Sequence, residues 1–352
     1  MRLLHYVLLE LTVGVVGLGA VGAGLKLGAE VWADRRAERV QQELARHYPK
    51  REDLSRPPVP RITGDASGTF LGMSDELLLA RVRDQPITGV KLNRGGSSLS
   101  FRVEFADGSR AAFKPAQTNL QTIPRKEVAA YRLNRLLGLN AVPPAVPYSL
   151  HKNELLGKLH PESRFALPRI KAETIFNPLG ETPGVFSYWI PVVKDSGFDT
   201  PDGLRQTAEW LMQGTFIPPD KRRLAAQLSD LVVFDFLTAN PDRYSGGNMK
   251  MSADGEHLFY MDNTLSFFLR PEGHSRNRAA LEKAQRFSRH LYRALSGVTL
   301  EALEEAMWDE HDGQEVLTPS EIRAVVARRD VALKHIKTVA QAYGEEQVLV
   351  FP

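Results

Sequence analysis

The sequence predicts an α+β fold in two lobes, a β-rich N-terminal lobe over 62–165 and a mainly helical C-terminal lobe over 166–352, with a hydrophobic helix ahead of them. Three observations predict it. "SLSFRVEF" alternates, with Leu99, Phe101, Val103 and Phe105 on one face and Ser100, Arg102 and Glu104 on the other, the period of a half-buried strand. In 221–238, Leu224, Leu228, Leu231 and Val232 fall on one stripe, the period of an amphipathic helix. An apolar run at 3–25 is set apart from both by a Pro-rich stretch, "SRPPVPR".

The apolar run carries Glu10 as its only certain charge and has the roughly 20 residues that a single-pass helix needs. Residues 1–28 are therefore expected to be a membrane anchor. A cleaved signal peptide and a buried soluble helix are the alternatives, and no clear A-x-A cleavage site follows the run. Ala20, Gly24 and Gly28 recur at four-residue spacing, which permits close helix contact in a membrane. Lys26, Arg35, Arg36 and Arg39 follow the run and only Arg2 precedes it, a lean toward a cytoplasmic catalytic domain. Gly17, Gly19 and Gly22 make a formal G-x-G-x-x-G, but no second strand arrives after it, and a dinucleotide loop is rejected. Residues 29–61 read as a polar helix followed by a linker holding Pro57, Pro58 and Pro60.

Within the N-terminal lobe a short helix is expected over 74–82, with Ser74 as N-cap and Asp75 and Glu76 in the first turn. Asp107-Gly108 turns the alternating strand back into "RAAFKP". Pro124 opens a helix that Gly138 closes, and the prolines of "AVPPAVP" enforce extended chain. In the C-terminal lobe, helices are expected over 204–213, 221–238, 279–295, 300–308 and 320–343, with two short strands around the Asp254-Gly255 turn.

Composition excludes several classes. The chain has 352 residues, 43% hydrophobic and 25% charged, as an ordinary globular protein does. Without cysteine there are no disulfides, thiolate metal sites or Cys nucleophile. A net charge of +3 is small for this length, so no nucleic-acid partner is expected. The nine histidines show no metal-ligand spacing, and no G-x-S-x-G elbow occurs.

A two-lobed chain with a β-rich first half suggests a phosphoryl-transfer cleft. That chemistry needs a lysine on phosphate, an acid holding that lysine, an acid orienting the acceptor hydroxyl, and oxygen ligands for a divalent metal. Lys114 lies on the return strand, on the face opposite Phe113; it is either the phosphate lysine or an exposed edge-strand lysine. Glu127, in the first turn of the next helix, is placed to pair with Lys114 or to bind metal, or simply favours a helix N-terminus. In "FDFLTANPDRYSGGNMKM" an apolar helix ends at Asn240-Pro241-Asp242, a turn suited to a residue that accepts a substrate proton. Asn248 follows in the same loop, and Asp262 ends the strand-like "HLFYMD" that returns to it. Carboxylates and an amide oxygen suit Mg²⁺ or Mn²⁺, and acids converging on one cleft call for a cation between them. The flanking "LVVFDFL" and "HLFYM" are too apolar for a peripheral hairpin. Asp235, inside the helix, is expected to be held by Arg243, both in a structural role.

Together "GG" at Gly95-Gly96, "FKP" at 113–115, "EVAAYRLNRLLGLNAVPP" at 127–144, "FDFLTANPDR" at 234–243 and "MDNTLSF" at 261–267 resemble the atypical secretory-pathway kinases. That family includes the Golgi casein kinase, the glycosaminoglycan xylosylkinase and the Four-jointed kinase, and bacterial members of unknown substrate look similar. The resemblance implies a protein-kinase-like fold, ATP, and Mn²⁺ or Mg²⁺. It implies Lys114 on ATP phosphates, Glu127 coupling nucleotide and metal, Asp242 as the catalytic acid and Asp262 as metal ligand, with Gly95, Gly96 and Ser97 on the nucleotide. The chain departs from the pattern in lacking the family's cysteines and in setting Asn248 six positions after Asp242, one more than a protein-kinase loop has. The acceptor is then a protein or a glycan. The alternative is a catalytically inactive relative that binds nucleotide or scaffolds a partner.

Overall fold

The protein is described here from a computed structural model, over residues 69–245, 247–309 and 314–352. The expected anchor at 1–28 and the stalk and linker at 29–61 lie outside these residues. Among the described residues no helix is long and apolar enough to cross a membrane. All of them fall in one compact unit, His47–Pro352.

A small β1–β2 pair (Thr69–Phe70, Met73–Ser74) leads into α1 (Asp75–Arg83), whose N-cap Ser74 accepts a hydrogen bond from Leu77 N. A five-stranded antiparallel sheet follows, in the order β3 (Ile87–Leu92), β4 (Phe101–Phe105), β5 (Arg110–Pro115), β7 (Glu181–Tyr188), β6 (Ala145–His151). The alternation in "FRVEF" does what its period dictates. Phe101, Val103 and Phe105 are buried, and Phe101 stands opposite Phe113 across β4 and β5. Phe186 of β7 packs on Phe105, Phe113 and Tyr148. The strand at 181–188 comes from beyond residue 165, so the sheet recruits chain from past the first lobe's expected end.

The second core is helical. Helix α2 (Arg125–Leu136) lies between β5 and β6 in sequence, and α3 (Leu167–Glu173) precedes β7. After β8 (Val193–Asp195) come α4 (Pro201–Trp210) and α5 (Arg222–Thr238). The hairpin β9 (Met249–Ser252) and β10 (Leu258–Tyr260) follows, then α6 (Ser275–Lys283), α7 (Arg289–Gly297), α8 (Leu300–Ala306) and the long α9 (Pro319–Tyr343). The single helix expected over 279–295 is two. Ala284 is extended, Phe287 N donates to Val348 O, and Ser288 caps a new helix by accepting from Leu291 N, so this backbone pairs with the C-terminal segment instead of with itself.

Helix α2 belongs to the helical core. Val128, Leu133 and Leu137 pack in the same cluster as Phe234, Leu237 and Phe287, whereas Phe101, Phe113 and Phe186 form the separate core of the sheet. Side chains from α2 and β5 that meet therefore join the two cores.

Candidate functional site

Lys114 and Phe113 occupy successive positions of β5, so burying Phe113 on one face sends Lys114 to the other. Across from β5 in β7, Val185 stands opposite Lys114 and Gly184 opposite Pro115; the strands come so close there that a Cβ on Gly184 would fall 2.5 Å from Lys114 O and 2.7 Å from the Phe113 ring. The Lys114 ammonium lies 2.8 Å from Glu127 Oε1 on α2 and 2.6 Å from Asp262 Oδ1 just beyond β10. Burial works against the ammonium, but Asp262 and then Glu127 outweigh it and hold its pKa above the usual lysine range. Burial likewise opposes the Asp262 carboxylate, and Lys114 prevails, holding that carboxyl below its usual range. Asp262 sits at φ 52°, a left-handed conformation that Asp tolerates better than most residues but that still costs about 1 kcal/mol. Thr264 Oγ1 steadies it by donating to Asp262 Oδ1 at 2.9 Å.

The second acid stands on its own loop. Helix α5 ends where Ala239 turns left-handed at φ 50°, and Asn277 of α6 donates to both Asp235 O and Asn240 O at 2.7 Å, fixing that end. Asn240 Oδ1 accepts from Asp242 N at 2.9 Å, an Asx turn that aims the Asp242 side chain. Asp242 Oδ2 accepts from Asn248 Nδ2 at 3.0 Å, and Asp242 Oδ1 accepts from the Ser245 hydroxyl. A carboxylate offers about four lone-pair sites, so acceptor capacity is left for a substrate hydroxyl. The extra residue before Asn248 is absorbed within the loop: Gly247, at φ 81°, donates its N–H to Asp199 Oδ2 at 2.9 Å, and Asn248 still reaches Asp242.

A buried polar relay connects the two acids. Arg243, fully buried, donates from Nε to both oxygens of Asp235 at 3.1 Å, from Nη1 to Asn248 O and Met261 O, and from Nη2 to Asn263 Oδ1 at 2.6 Å. Burial pushes the Asp235 carboxyl up to about 6 while Arg243 pulls it down. Asn263 Nδ2 donates to Glu127 Oε2 at 3.3 Å, and Asn263 Oδ1 also accepts from Asn240 Nδ2 at 3.4 Å. Lys114, Glu127, Asn263, Arg243 and the Asp242 loop thus form one continuous network. Sequence reasoning found Lys114, Glu127, Asp242 and the Asp235–Arg243 pair, and missed Asn263. Asn263 stands beside Asp262 at a strand end, and that adjacency was the available signal.

The glycine loop is tied rather than free. Gln117, buried, accepts from Leu99 N and donates to Leu99 O and Pro115 O, fastening the loop's exit to the strand of Lys114. Gly95 and Gly96 have φ of 92° and 79°, which only glycine adopts readily, and Arg169 of α3 donates to Ser97 O at 2.9 Å. No hydrogen bond among the described residues joins Gly95, Gly96 or Ser97 directly to Lys114.

Among the described residues no cluster of three or more His, Cys, Asp or Glu stands close enough to hold a metal ion. The cation expected between converging acids is, for Glu127 and Asp262, the Lys114 ammonium itself. The donor chemistry still suits a hard divalent ion at Asp262 and Asn248. Asp262 is about one-third exposed at 35%, and Asn248 turns its amide N–H to Asp242, leaving its amide oxygen without a hydrogen-bond partner among the described residues. Glu127 already meets Lys114 and Asn263, which makes it the weaker candidate.

The profile of the Four-jointed box protein middle domain matches residues 76–266, just over half of the 352-residue chain. The chain belongs to the Four-jointed box family. The match runs from α1 to the segment after Asp262, so it includes Lys114, Glu127, Asp242 and Asp262. A curated relative, "Extracellular serine/threonine protein CG31145" of Drosophila melanogaster, is 25% identical over 244 residues. The aligned part is 56% of this chain and 46% of the relative, so the chain spans just under half the length of the curated relative it matches. Among solved structures, the Golgi casein kinase with Mn/ADP bound superposes with a TM-score of 0.59 at 16% identity, covering 78% of each chain. A hydra Fam20 with sugar superposes at 0.56 and 16%, covering 77% of this chain and 90% of that one. This Four-jointed box chain therefore has the kinase-like fold of the Fam20 structures, as the resemblance implied.

Proposed function

We propose that the protein is an ATP-dependent kinase that transfers the γ-phosphate to a hydroxyl acceptor, a protein serine or threonine or a glycan. The observation that carries the reading is the Lys114 ammonium from the sheet core, held by Glu127 from the helical core and by Asp262 after the β9–β10 hairpin, and wired through Asn263 and Arg243 to the Asp242 loop. Lys114 would meet the phosphates once Asp262 is released from it, and Glu127 would keep the lysine pointed at them. Gly95, Gly96 and Ser97 would cover the nucleotide. Asp242 would accept the hydrogen bond of the acceptor hydroxyl and orient its oxygen for attack; the Ser245 hydroxyl already donates to the same carboxylate. Asp262 and Asn248, with Glu127 as third candidate, would hold Mn²⁺ or Mg²⁺, which when bound supplies charge neutralisation on the phosphates. Mn/ADP in the Golgi casein kinase structure supports that choice.

A non-catalytic nucleotide-binding or scaffolding protein is the second reading. The Lys114–Asp262 contact favours it, because the ammonium covers the carboxylate that a metal needs. Transfer of label from γ-labelled ATP with Mn²⁺ separates the two. We expect turnover in the natural chain and a loss of about 10²-fold or more in Asp242→Ala with ADP binding retained. Turnover of Asp242→Ala at the natural rate would remove Asp242 from its role, and no turnover in the natural chain would leave the scaffold.

For location, one relative is named extracellular and one matching structure is a Golgi kinase. On that basis we place the catalytic domain on the secretory side, against the cytoplasmic lean drawn from the basic residues after 25. The anchor expected over residues 1–28, which lie outside the described residues, is kept as part of this proposal.

A further inference from the structure

A groove of about 480 Å³ opens between α4, α5 and α6, alongside the loop that follows Asp242. Its floor is aliphatic, made by Leu204, Leu211, Val232 and Ala280. Along one edge, Arg276 and Lys283 stand seven residues apart on α6, hence on the same helix face as Ala280. Both are exposed, and among the described residues neither has an ion-pair or hydrogen-bond partner. Asp199, the acid at the groove, already accepts from Gly247 N in the catalytic loop. Nearby His274 is held below the usual range by burial and then by Arg276 and Arg270, which marks this edge as electropositive. Of the two uncharged polar side chains lining the groove, Thr207 and Tyr244, Thr207 already donates its hydroxyl to Gly203 O at 2.9 Å.

We propose that this groove docks an acidic, apolar segment of the acceptor polypeptide, seating an aliphatic or aromatic side chain on the Leu204–Val232 floor and a carboxylate between Arg276 and Lys283. The argument is charge complementarity. Two unpaired cations beside an apolar floor attract a chain carrying both characters and repel a basic one. Because the groove borders the Asp242 loop, a segment held there would bring neighbouring hydroxyls to that acid and raise their local concentration. The proposal rests on the kinase reading for the word acceptor; the binding itself does not.

The test uses the full chain and a short fluorescein-labelled peptide of alternating Glu and Leu, followed by anisotropy, with Lys–Leu and Glu–Ser peptides as controls. The natural chain is expected to bind the Glu–Leu peptide most tightly. The R276E/K283E double variant should weaken that binding about tenfold or more, with Leu204→Asp weakening it too, while Mn–ADP binding stays unchanged in both as the check on folding. Equal binding of the Glu–Leu peptide to the natural chain and R276E/K283E would overturn the proposal. So would a Lys–Leu or Glu–Ser peptide binding as tightly, or a sulfated oligosaccharide whose binding is lost in R276E/K283E while that of Glu–Leu is kept. If the peptide pattern holds but the natural chain binds no Mn–ADP, the kinase reading falls and the groove stands.

Discussion

Lys114 shows what a residue's neighbours in sequence do and do not reveal. Alternation with Phe113 placed it on the open face of its strand, and Glu127 thirteen residues on was a readable partner. Its second partner, Asp262, comes much later in the chain, just after β10, and no local period announces a contact over that separation in sequence. Asn263 escaped for a related reason: a buried asparagine carries no periodic signature, and its worth lies in bonding Glu127, Arg243 and Asn240 at once. Arg243 is where the residue-scale account is most exposed to test. It is buried with Asp235, so removing it leaves an acid in the core without its counter-charge. Arg243→Met should cost roughly 3–5 kcal/mol in denaturant unfolding, and adding Asp235→Asn should recover part of that loss. A double variant as unstable as the sum of the two singles would show that the pair is not coupled.

At the scale of elements, two of the strands that sequence reading missed, β7 and β3, carry local irregularities that no strand period announces. Strand β7, for which the sequence raised no expectation, contains Pro183-Gly184, and Gly184 is there because only glycine fits against Lys114 O and the Phe113 ring. Strand β3 carries Gly89 and a register shift between Ile87 and Gly89. Helix α9 was legible, and it does more than fill the core. Arg328, buried, donates to Leu237 O, Phe268 O and Arg270 O, bracing the end of α5 that presents the Asp242 loop. In the first turn of α9, Glu321 closes a capping box with Thr318 and takes a two-point bond from Arg125 at the start of α2. Burial opposes the Glu321 carboxylate, but Arg125 and then Lys126 hold its pKa down to about 2 from 4.5. A depressed acid contributes stability that is whole above its unfolded pKa and is lost as pH falls through the folded one. The advantage of the natural chain over Glu321→Gln should therefore be full at neutral pH and shrink by roughly 3 kcal/mol between about pH 4.5 and 2. Urea midpoints of both proteins across that range check it, and a gap that does not change with pH would contradict the assignment.

At the largest scale, the described residues form two cores and one seam. The sheet core supplies Lys114, the helical core supplies Glu127 through α2, and the β9–β10 hairpin returns Asp262 to the same ammonium. Two lobes were readable from the change of period along the chain. That α2 packs with the helices, and that the sheet borrows a strand from 181–188, were not, because both depend on which faces meet in space. On the kinase reading proposed above, nucleotide phosphates and a divalent ion would bind at this seam, where Lys114 and Asp262 now neutralise one another, and that is the central claim. Calorimetric titration of ADP in the presence and absence of Mn²⁺, on the natural chain and on Asp262→Asn, tests that claim most directly. The account predicts Mn²⁺-dependent binding by the natural chain and its loss in Asp262→Asn; equal ADP affinity in the two proteins, with or without Mn²⁺, would contradict it.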